Sequence, residues 1–439
     1  MHQKITTMKS SDIIVGLDIG TTKMACLVGR RNENGKIEIL GYGKTESVGV
    51  KRGVVSNIED TVNSIRKAVD EASARSGVDI KYVNVGIAGQ HIKSLQHRGS
   101  LIRESGEEEI NRLEIEKLTN DMYKLSMAAG EEIIDVIPQE YIVDGEQGIK
   151  QPVGMLGSKL EANFHVIIGQ TAAAKNVLKC VKRAGLEMVD LILEPIASAQ
   201  AVLGDDEKEA GVVLVDIGGG TTDIAIFHDR IIRHTAVIPF GGDIITEDIR
   251  EGCTIIKKHA EEVKVKFGSS LASENRDDEV VSIPGIRGRA PKEISFRNLA
   301  SIIQARLEEI LEHVYYEIKN SGFERRLIAG IVLTGGGAMM KHIDQLAAFV
   351  TGMDVRIGYP NEHLAKGTDE ELASPMFATG IGLVIEGINR HDNEEEVERL
   401  KSGPEPQQPK QTKTKEIVEK RGASYLDKIK KLFDRELLE

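Results

Sequence analysis

The chain has 439 residues, with 57 Lys and Arg against 69 Asp and Glu, and a formal net charge of -12. This length allows two to four domains, and 40% apolar with 29% charged residues is typical of a globular protein. An acidic balance excludes broad nucleic-acid binding, which requires clustered Lys and Arg. Cys26, Cys180 and Cys253 are far apart and odd in number, which excludes a disulfide framework and indicates a reducing compartment.

The N-terminal residues are polar, and the apolar run 13–17 stops at Asp18. Neither a signal peptide nor a membrane span is predicted there. No run of about 18 uninterrupted apolar residues occurs, so the sequence predicts a chain that does not cross a bilayer. Attachment to a membrane surface is left open.

An internal repeat is the most informative feature of the sequence. Residues 13–23 (IIVGLDIGTTK) are echoed by residues 212–223 (VVLVDIGGGTTD). Each copy has the pattern of a buried strand that ends at an Asp, a Gly/Thr turn and a second strand. A third short strand follows each copy, over 37–41 and 231–237. Two copies roughly 200 residues apart predict two related halves that face each other.

Strand and helix patterns alternate after each hairpin, as in layered α/β folds. Amphipathic helices are predicted over 58–76, 171–184 and 296–320. A buried strand at 327–333 leads into Gly335, and the segment 374–388 has the pattern of a closing helix.

Residues 88–165 have no counterpart in the second half. They contain a charged helix over 107–129 and several strand patterns, which predicts a small inserted α+β subdomain. Beyond residue 390 the chain is rich in Glu, Gln, Lys and Pro, which predicts a disordered linker. The predicted organisation is a first half at 12–87, 166–197 and 374–390, the insertion at 88–165, a second half at 198–240 and 299–373 with a subdomain at 241–298, a linker at 391–423 and a terminal helix at 424–439.

The two hairpin turns carry the residue types that hold a nucleotide phosphate. Glycines let backbone N–H groups approach an anion closely, and threonines add hydroxyl donors. Asp18 and Asp216, at the strand ends, are placed to hold Mg²⁺ through its water shell. The predicted phosphate-binding residues are Gly20, Thr21, Thr22, Gly218, Gly219, Gly220, Thr221 and Thr222. The alternative is that both are simply tight hairpin turns.

Two further features fit the rest of a nucleotide. Gly335, Gly336 and Gly337 after a buried strand permit the approach of a flat group such as adenine, although a helix start packed on the sheet would have the same pattern. Glu261 and Lys264 share one face of a predicted helix and can grip ribose hydroxyls, although such pairs are often solvated surface pairs.

These motifs resemble the actin/Hsp70/sugar-kinase superfamily and, more closely, the FtsA family of actin-like bacterial cell-division proteins. The resemblance is carried by LDIGTTK (17–23), VIPQ (136–139), IVDG (142–145), VDIGGGTTDIA (215–225), VIPFGGD (237–243), AEEVK (260–264) and IVLTGGG (331–337). It covers roughly residues 12–390 and the terminal helix. The place of the insertion, together with the tail, singles out the FtsA type.

The resemblance implies an α/β, actin-like fold with two duplicated ATPase-type halves around a cleft for ATP and Mg²⁺, and a small α+β subdomain inserted in the first half. It adds Lys23 and Gly242 to the nucleotide-binding residues. It also implies filaments at the division site, on the cytoplasmic face of the cell membrane. These would bind the C-terminal tail of FtsZ at 241–298 and recruit later divisome proteins. The implied role is mainly structural, with at most weak ATPase activity, so whether the protein is an enzyme is left open.

Glu194 is the candidate catalytic residue. It lies in the connection between the halves, where related ATPases place a side chain that orients water. The alternative is a Glu that stabilises a helix N-terminus through the helix dipole.

The terminal segment 424–439 predicts an amphipathic helix that binds a membrane. At about 100° per residue one face collects Tyr425, Leu426, Ile429, Leu432, Phe433 and Leu437. Glu436 interrupts this face, and four basic residues balance four acidic ones. Such a helix on a disordered tether suits the bilayer interface. The alternatives are packing on the body or pairing as a coiled coil.

Three other functions use the same fold. A sugar- or acetate-kinase-type phosphotransferase would require a general base and an acceptor pocket, and a lipid-binding tail would serve no purpose in it. An Hsp70-type chaperone would need a separate peptide-binding domain, for which the residues beyond 390 leave too little chain. Another bacterial actin, for cell shape or pilus assembly, is distinguished by the inserted subdomain and by the position of the membrane-binding element.

Overall fold

The computed structural model describes residues 13–285 and 290–402. The predicted terminal helix, with its six apolar residues, and the linker from 403 onward lie outside these residues. Within them, no helix is both long enough and apolar enough to cross a membrane.

The strands are β1 (Ile14–Ile19), β2 (Lys23–Arg31), β3 (Ile37–Glu46), β4 (Val50–Lys51), β5 (Val54–Val55), β6 (Tyr82–Ile87), β7 (Lys93–Ile102), β8 (Glu131–Val143), β9 (Glu146–Ile149), β10 (Lys159–Gln170), β11 (Glu187–Leu193), β12 (Val212–Ile217), β13 (Thr222–His228), β14 (Ile231–Ile238), β15 (Val280–Ile283), β16 (Lys292–Ser295), β17 (Ile331–Thr334) and β18 (Val355–Ile357). The α-helices are α1 (Ile58–Ser76), α2 (Arg112–Met122), α3 (Thr171–Arg183), α4 (Glu194–Val202), α5 (Asp205–Ala210), α6 (Gly242–Gly252), α7 (Lys257–Phe267), α8 (Phe296–Asn320), α9 (Ile343–Thr351) and α10 (Ala378–Ser402).

Two five-stranded sheets have the same topology. Their orders are β3-β2-β1-β6-β11 and β14-β13-β12-β17-β18. In each, three antiparallel strands are followed by two parallel ones. The registers also match, because Asp18 lies opposite Ala25 just as Asp216 lies opposite Asp223. The predicted duplication of the fold is therefore confirmed.

The insertion forms its own sheet, β7-β10-β8-β9, with α2 packed on it around Phe164 and Leu118. It also contacts β14, the edge strand of the second half. His165 Nε2 lies 3.0 Å from Thr235 Oγ1, and Arg233 pairs with Glu140 at 2.7 Å. The subdomain inserted in the first half therefore reaches across to the second.

Local signals explain where several elements begin or end. Helix α1 begins after Asn57, whose side chain accepts two backbone N–H groups, and stops at Gly77, which has a φ of 70°. The predicted charged helix at 107–129 was too long, because Asn111 and Glu114 form a capping box that starts α2 at Arg112. The strand predicted at 327–333 begins only at Ile331, because Gly330 has a φ of 69° in the preceding turn.

The closing helix differs most from prediction. It starts at Ala378, after a 3₁₀ turn at Pro375–Phe377, rather than at residue 374. It continues to Ser402, so the prediction of a disordered linker from residue 391 was wrong for 391–402. Ion pairs with distant elements hold the extension: Arg31 with Asp392 at 2.5 Å and Arg112 with Glu396 at 2.7 Å.

Arg390 joins three elements at the base of the insertion. Its guanidinium donates to Asp135 of β8 at 2.5 Å, Asp190 of β11 at 2.6 Å and Glu386 of its own helix at 2.9 Å. Asp135 is buried. Removing the arginine would leave this carboxylate group without its countercharge.

We predict that Arg390→Ala lowers the free energy of unfolding by about 3 kcal/mol, because a buried ion pair is broken on one side only. The matched control is Arg31→Ala, which removes an exposed pair to the same helix and should cost less than about 1 kcal/mol. Urea unfolding measures both. Equal losses for the two variants would contradict the role of Arg390 as the anchor of the insertion.

Candidate functional site

A cleft of about 450 Å³ lies between the two halves, where β1 and β12 end in their turns. The predicted residues that line it are Asp18, Gly20, Thr21, Thr22, Lys23, Glu194, Asp216, Gly218, Gly219, Gly220, Thr221, Gly242, Glu261, Lys264, Gly335, Gly336 and Gly337. Thr222 does not line it. It is the first residue of β13, and its hydroxyl donates to the Phe240 carbonyl at 2.8 Å, so its assignment to the nucleotide was wrong.

The two hairpin turns meet face to face. A Cβ on Gly219 would overlap the Thr22 side chain, and one on Gly220 would lie 2.5 Å from Thr21 Oγ1. Only glycine allows the second turn to come this close to the first. The start of α6 holds the second turn in place, because the Gly242 N–H donates to the Gly218 carbonyl at 2.9 Å.

Four carboxylic side chains gather behind the turns: Asp18, Glu194, Asp216 and Asp223. Lys23 Nζ lies 3.0 Å from Asp18 and also donates to the Met376 carbonyl at 2.8 Å. Negative charge therefore exceeds positive charge at this end of the cleft.

Asp216 and Asp223 are held by hydroxyl groups. Asp216 Oδ2 accepts from Ser198 at 2.6 Å and from Thr379 at 3.2 Å. Asp223 Oδ2 accepts from Thr221 at 2.8 Å. Asp223 Oδ1 is buried and has no partner in the described part of the chain, which leaves one acceptor unused at the cleft.

Burial and mutual repulsion raise the pKa of these groups. Desolvation, then the charge of Asp18, places the pKa of Glu194 well above its usual value. Desolvation also raises the pKa of Asp216. Desolvation and the neighbouring Asp216 raise the pKa of Asp223 to about 7. A bound cation would relieve the repulsion, which adds to the effect of burial in these shifts.

A further part of the cleft is formed by the glycine run 335–337 and by apolar side chains. Gly336 has open space where a Cβ would be, whereas one on Gly335 or Gly337 would overlap Asp216 or Ile217. Met339, Met340 and Leu307 line the same cleft. The glycine run leads into a short 3₁₀ turn, Gly336–Met339.

Lys264 is buried, whereas the side chain of its partner Glu261 is 45% exposed. Lys264 is 8% exposed and lies 2.7 Å from Glu261. Its ammonium also donates to the Gly242 carbonyl at 2.9 Å and to Thr246 Oγ1 at 2.8 Å. The pair joins α7 to the start of α6 and borders the cleft.

Sequence reasoning missed Asp223. It ends the second repeat, where the strand pairing places it opposite Asp216. Its signal was a charged residue inside an otherwise apolar strand pattern, which is unusual unless the group has a function or a partner. In the described ranges, no cluster of three or more His, Cys, Asp or Glu side chains is arranged to hold a metal ion directly.

The duplicated sheets and the cleft between them define an actin-like protein. The fold is similar to that in the solved "PilM-PilN type IV pilus biogenesis complex", with a TM-score of 0.62 at 17% identity over 85% of this chain and 98% of that chain. It is also similar to MreB5 of Spiroplasma citri bound to ADP, with a TM-score of 0.50 at 17% identity over 90% of this chain and 100% of that one.

Sequence comparison narrows this class to one family. The family model "Cell division protein FtsA" matches residues 213–382, and "SHS2 domain inserted in FTSA" matches residues 89–168. FtsA of Pseudomonas aeruginosa is 42% identical over 390 residues, which is 89% of this chain and 92% of that protein. FtsA of Escherichia coli K12 is 37% identical over 402 residues, covering 89% and 95%. The chain belongs to the FtsA family of cell-division proteins, and the predicted resemblance is confirmed.

We predict that Asp223→Asn stabilises the protein, measured without nucleotide or metal, increasingly as the pH rises. The pKa of the Asp223 carboxyl is about 7 in the folded protein, and its ordinary value is 3.8. Ionisation of this group therefore lowers the free energy of unfolding as the pH rises from about 4 to 7, and causes no further loss above pH 7. The advantage of the variant over the original chain should grow by about 2 kcal/mol from pH 5 to pH 8.

Urea unfolding at both pH values measures this advantage. The control is Asp79→Asn, which changes an aspartate whose side chain is 80% exposed and should give a pH-independent difference. A constant difference for Asp223→Asn would show that this carboxyl does not titrate as described.

Proposed function

We propose that this cell-division protein binds ATP with Mg²⁺ in its cleft and assembles into filaments at the division site. There it is anchored to the cytoplasmic face of the membrane, tethers FtsZ and recruits later divisome proteins. The observation that carries the nucleotide proposal is the contact between two glycine-containing turns, Gly20–Thr22 and Gly218–Thr221, at one point in the cleft. Backbone N–H groups from both halves would then serve one polyphosphate.

The residues around the turns fit the rest of the nucleotide. Mg²⁺ would supply charge neutralisation at the phosphates, held through water by Asp18 and Asp216, because this ion keeps several waters. Lys23 would add a positive charge beside them. The base would lie against Gly336, and Glu261 with Lys264 would border the ribose.

We propose that hydrolysis is at most weak. Burial is the main cause of the raised pKa of Glu194, so its carboxyl group holds a proton more strongly than an ordinary glutamic acid. The protonated form cannot accept a proton from water, so we assign to Glu194 the orientation of water rather than its activation. The role of the nucleotide would then be to stabilise the closed form of the two halves.

The proposed membrane anchor is the segment 424–439, which follows α10 through the residues beyond 402. One short helix of zero net charge binds a bilayer weakly. Several on one filament would bind together, because linking raises the effective concentration and can increase avidity by about 10²–10⁴.

The proposed site for the FtsZ tail is the subdomain at 241–298. Its helix α7 exposes Val265 at 71%, and Phe267 stacks on Phe296 with ring centroids 5.3 Å apart. An exposed apolar side chain beside an aromatic pair suits a short helical peptide with apolar anchors.

ATP binding is tested by Gly336→Leu. This glycine has free space where its side chain would be, so the variant should fold, yet leucine would fill the proposed base site. We expect the affinity for MgATP to fall at least about 100-fold, because a blocked pocket loses most base contacts. Gly336→Ala is the matched control, and its affinity for MgATP should fall less than that of Gly336→Leu. Calorimetric titration measures both, and unchanged binding in Gly336→Leu would refute the assigned base site.

The membrane anchor is tested by removing residues 424–439. The shortened protein should no longer co-sediment with anionic liposomes but should bind MgATP as before, since none of the residues that line the cleft belongs to this segment. Within the segment, Phe433→Asp should weaken co-sedimentation at least about tenfold, because a charge replaces an apolar contact. Asp434→Asn, on the polar face, is the control. Retention of the shortened protein on liposomes would rule out this anchor.

A further inference from the structure

The short hairpin β4–β5 lies between β3 and α1, and its tip is a two-residue turn. Arg52 and Gly53 form this turn with φ values of 49° and 73°. Both residues have left-handed backbone conformations, as in the two-residue loops that join the strands of tight β-hairpins. Left-handed backbone is uncommon for a residue other than glycine, so the local structure holds Arg52 in this conformation.

The tip contacts both phosphate turns. The Gly53 N–H donates to Thr21 Oγ1 of the first turn at 3.1 Å. The Cα of Arg52 would lie 2.9 Å from a Cβ on Gly220 of the second turn. Gly53 itself lines the cleft. The arginine backbone is therefore placed where the two halves meet.

The same tip contacts the root of the inserted subdomain. A Cβ on Gly53 would lie 2.7 Å from the Ala88 carbonyl oxygen, and one on Gly89 would lie 2.9 Å from the His91 ring and 3.2 Å from the Arg52 carbonyl oxygen. His91 is 6% exposed, and neither of its ring nitrogens has a hydrogen-bond partner in the described residues. A movement of the β4–β5 tip must therefore move either residues 88–89, at the start of the inserted subdomain, or the His91 ring.

Three of the lysines that line the cleft are already engaged. Lys23 is bound to Asp18, Lys44 pairs with Glu371 at 3.0 Å, and Lys264 pairs with Glu261. The Arg52 side chain is exposed and makes no ion pair or hydrogen bond within residues 13–285 and 290–402. The Arg52 backbone lies beside Gly220 of the second phosphate turn, and its guanidinium group has no partner in the described residues. A guanidinium group can bind a phosphate through two parallel N–H groups.

We propose that Arg52 binds the terminal phosphate of ATP, and that the Arg52–Gly53 turn transmits the presence of that phosphate to the inserted subdomain. This inference depends on the proposed binding of ATP in the cleft. ADP lacks the group that Arg52 would hold, so the tip would be drawn toward the turns with ATP and released with ADP. The contacts of Gly53 and Gly89 would then pass the movement to residues 88–91.

The test compares ATP with ADP. Calorimetric titration with Mg²⁺ gives both affinities for the original chain, Arg52→Ala, Arg52→Lys and the control Lys51→Ala, which removes the adjacent exposed charge. Arg52→Ala should lower the affinity for ATP at least about tenfold and the affinity for ADP less than about twofold, as expected for the loss of a charge-assisted pair. The ATP affinity of Arg52→Lys should lie between those of the original chain and Arg52→Ala, because lysine keeps the charge but lacks the two parallel N–H groups of the guanidinium. Lys51→Ala should leave the ratio unchanged.

Hydrogen exchange tests the transmission in the same proteins. With saturating nucleotide, amides in residues 88–103 of the original chain should exchange more slowly with ATP than with ADP. Arg52→Ala should abolish this difference. A difference that persists in the variant overturns the transmission, and equal loss of ATP and ADP affinity, or none, overturns the phosphate contact. If the original chain binds neither nucleotide, the proposed function is contradicted together with this inference. If it binds both and only the Arg52 variants differ from expectation, this inference alone is contradicted.

Discussion

The contact between the two hairpin turns governs the arrangement of the whole cleft. It exists because Gly219 and Gly220 have no side chains to keep the second turn away from Thr22 and Thr21. Every other element of the site is positioned relative to this contact: the acidic strand ends behind it, the glycine opening of Gly336 beside it and the β4–β5 tip against it.

The charges of the side chains that line the cleft determine which ligands it favours. Four carboxylic groups line the cleft, burial raises the pKa of Glu194, Asp216 and Asp223, and Lys23 is held in an ion pair with Asp18. Such a site favours the entry of a cation together with an anion rather than either alone. Because the inserted subdomain contacts both the β4–β5 tip and β14, occupation of the cleft can affect surfaces outside it.

Features encoded by neighbouring residues could be predicted from the sequence. The repeat predicted the three antiparallel strands of each large sheet and both turns, and caps such as Asn57 and Gly77 set the ends of α1. Features that depend on distant partners could not be predicted. The direction of Thr222 follows from strand pairing, the burial of Asp223 from three-dimensional packing, and the extension of α10 to Ser402 from ion pairs with β2 and α2.

The central claim is that the two turns grip one polyphosphate from opposite sides. An experimental structure with Mg²⁺ and a non-hydrolysable ATP analogue would test it most directly. The account predicts backbone N–H groups from both 20–22 and 218–221 within hydrogen-bonding distance, about 2.7–3.2 Å, of the same phosphate chain. A phosphate chain bound by one turn alone, or a nucleotide bound outside this cleft, would contradict it.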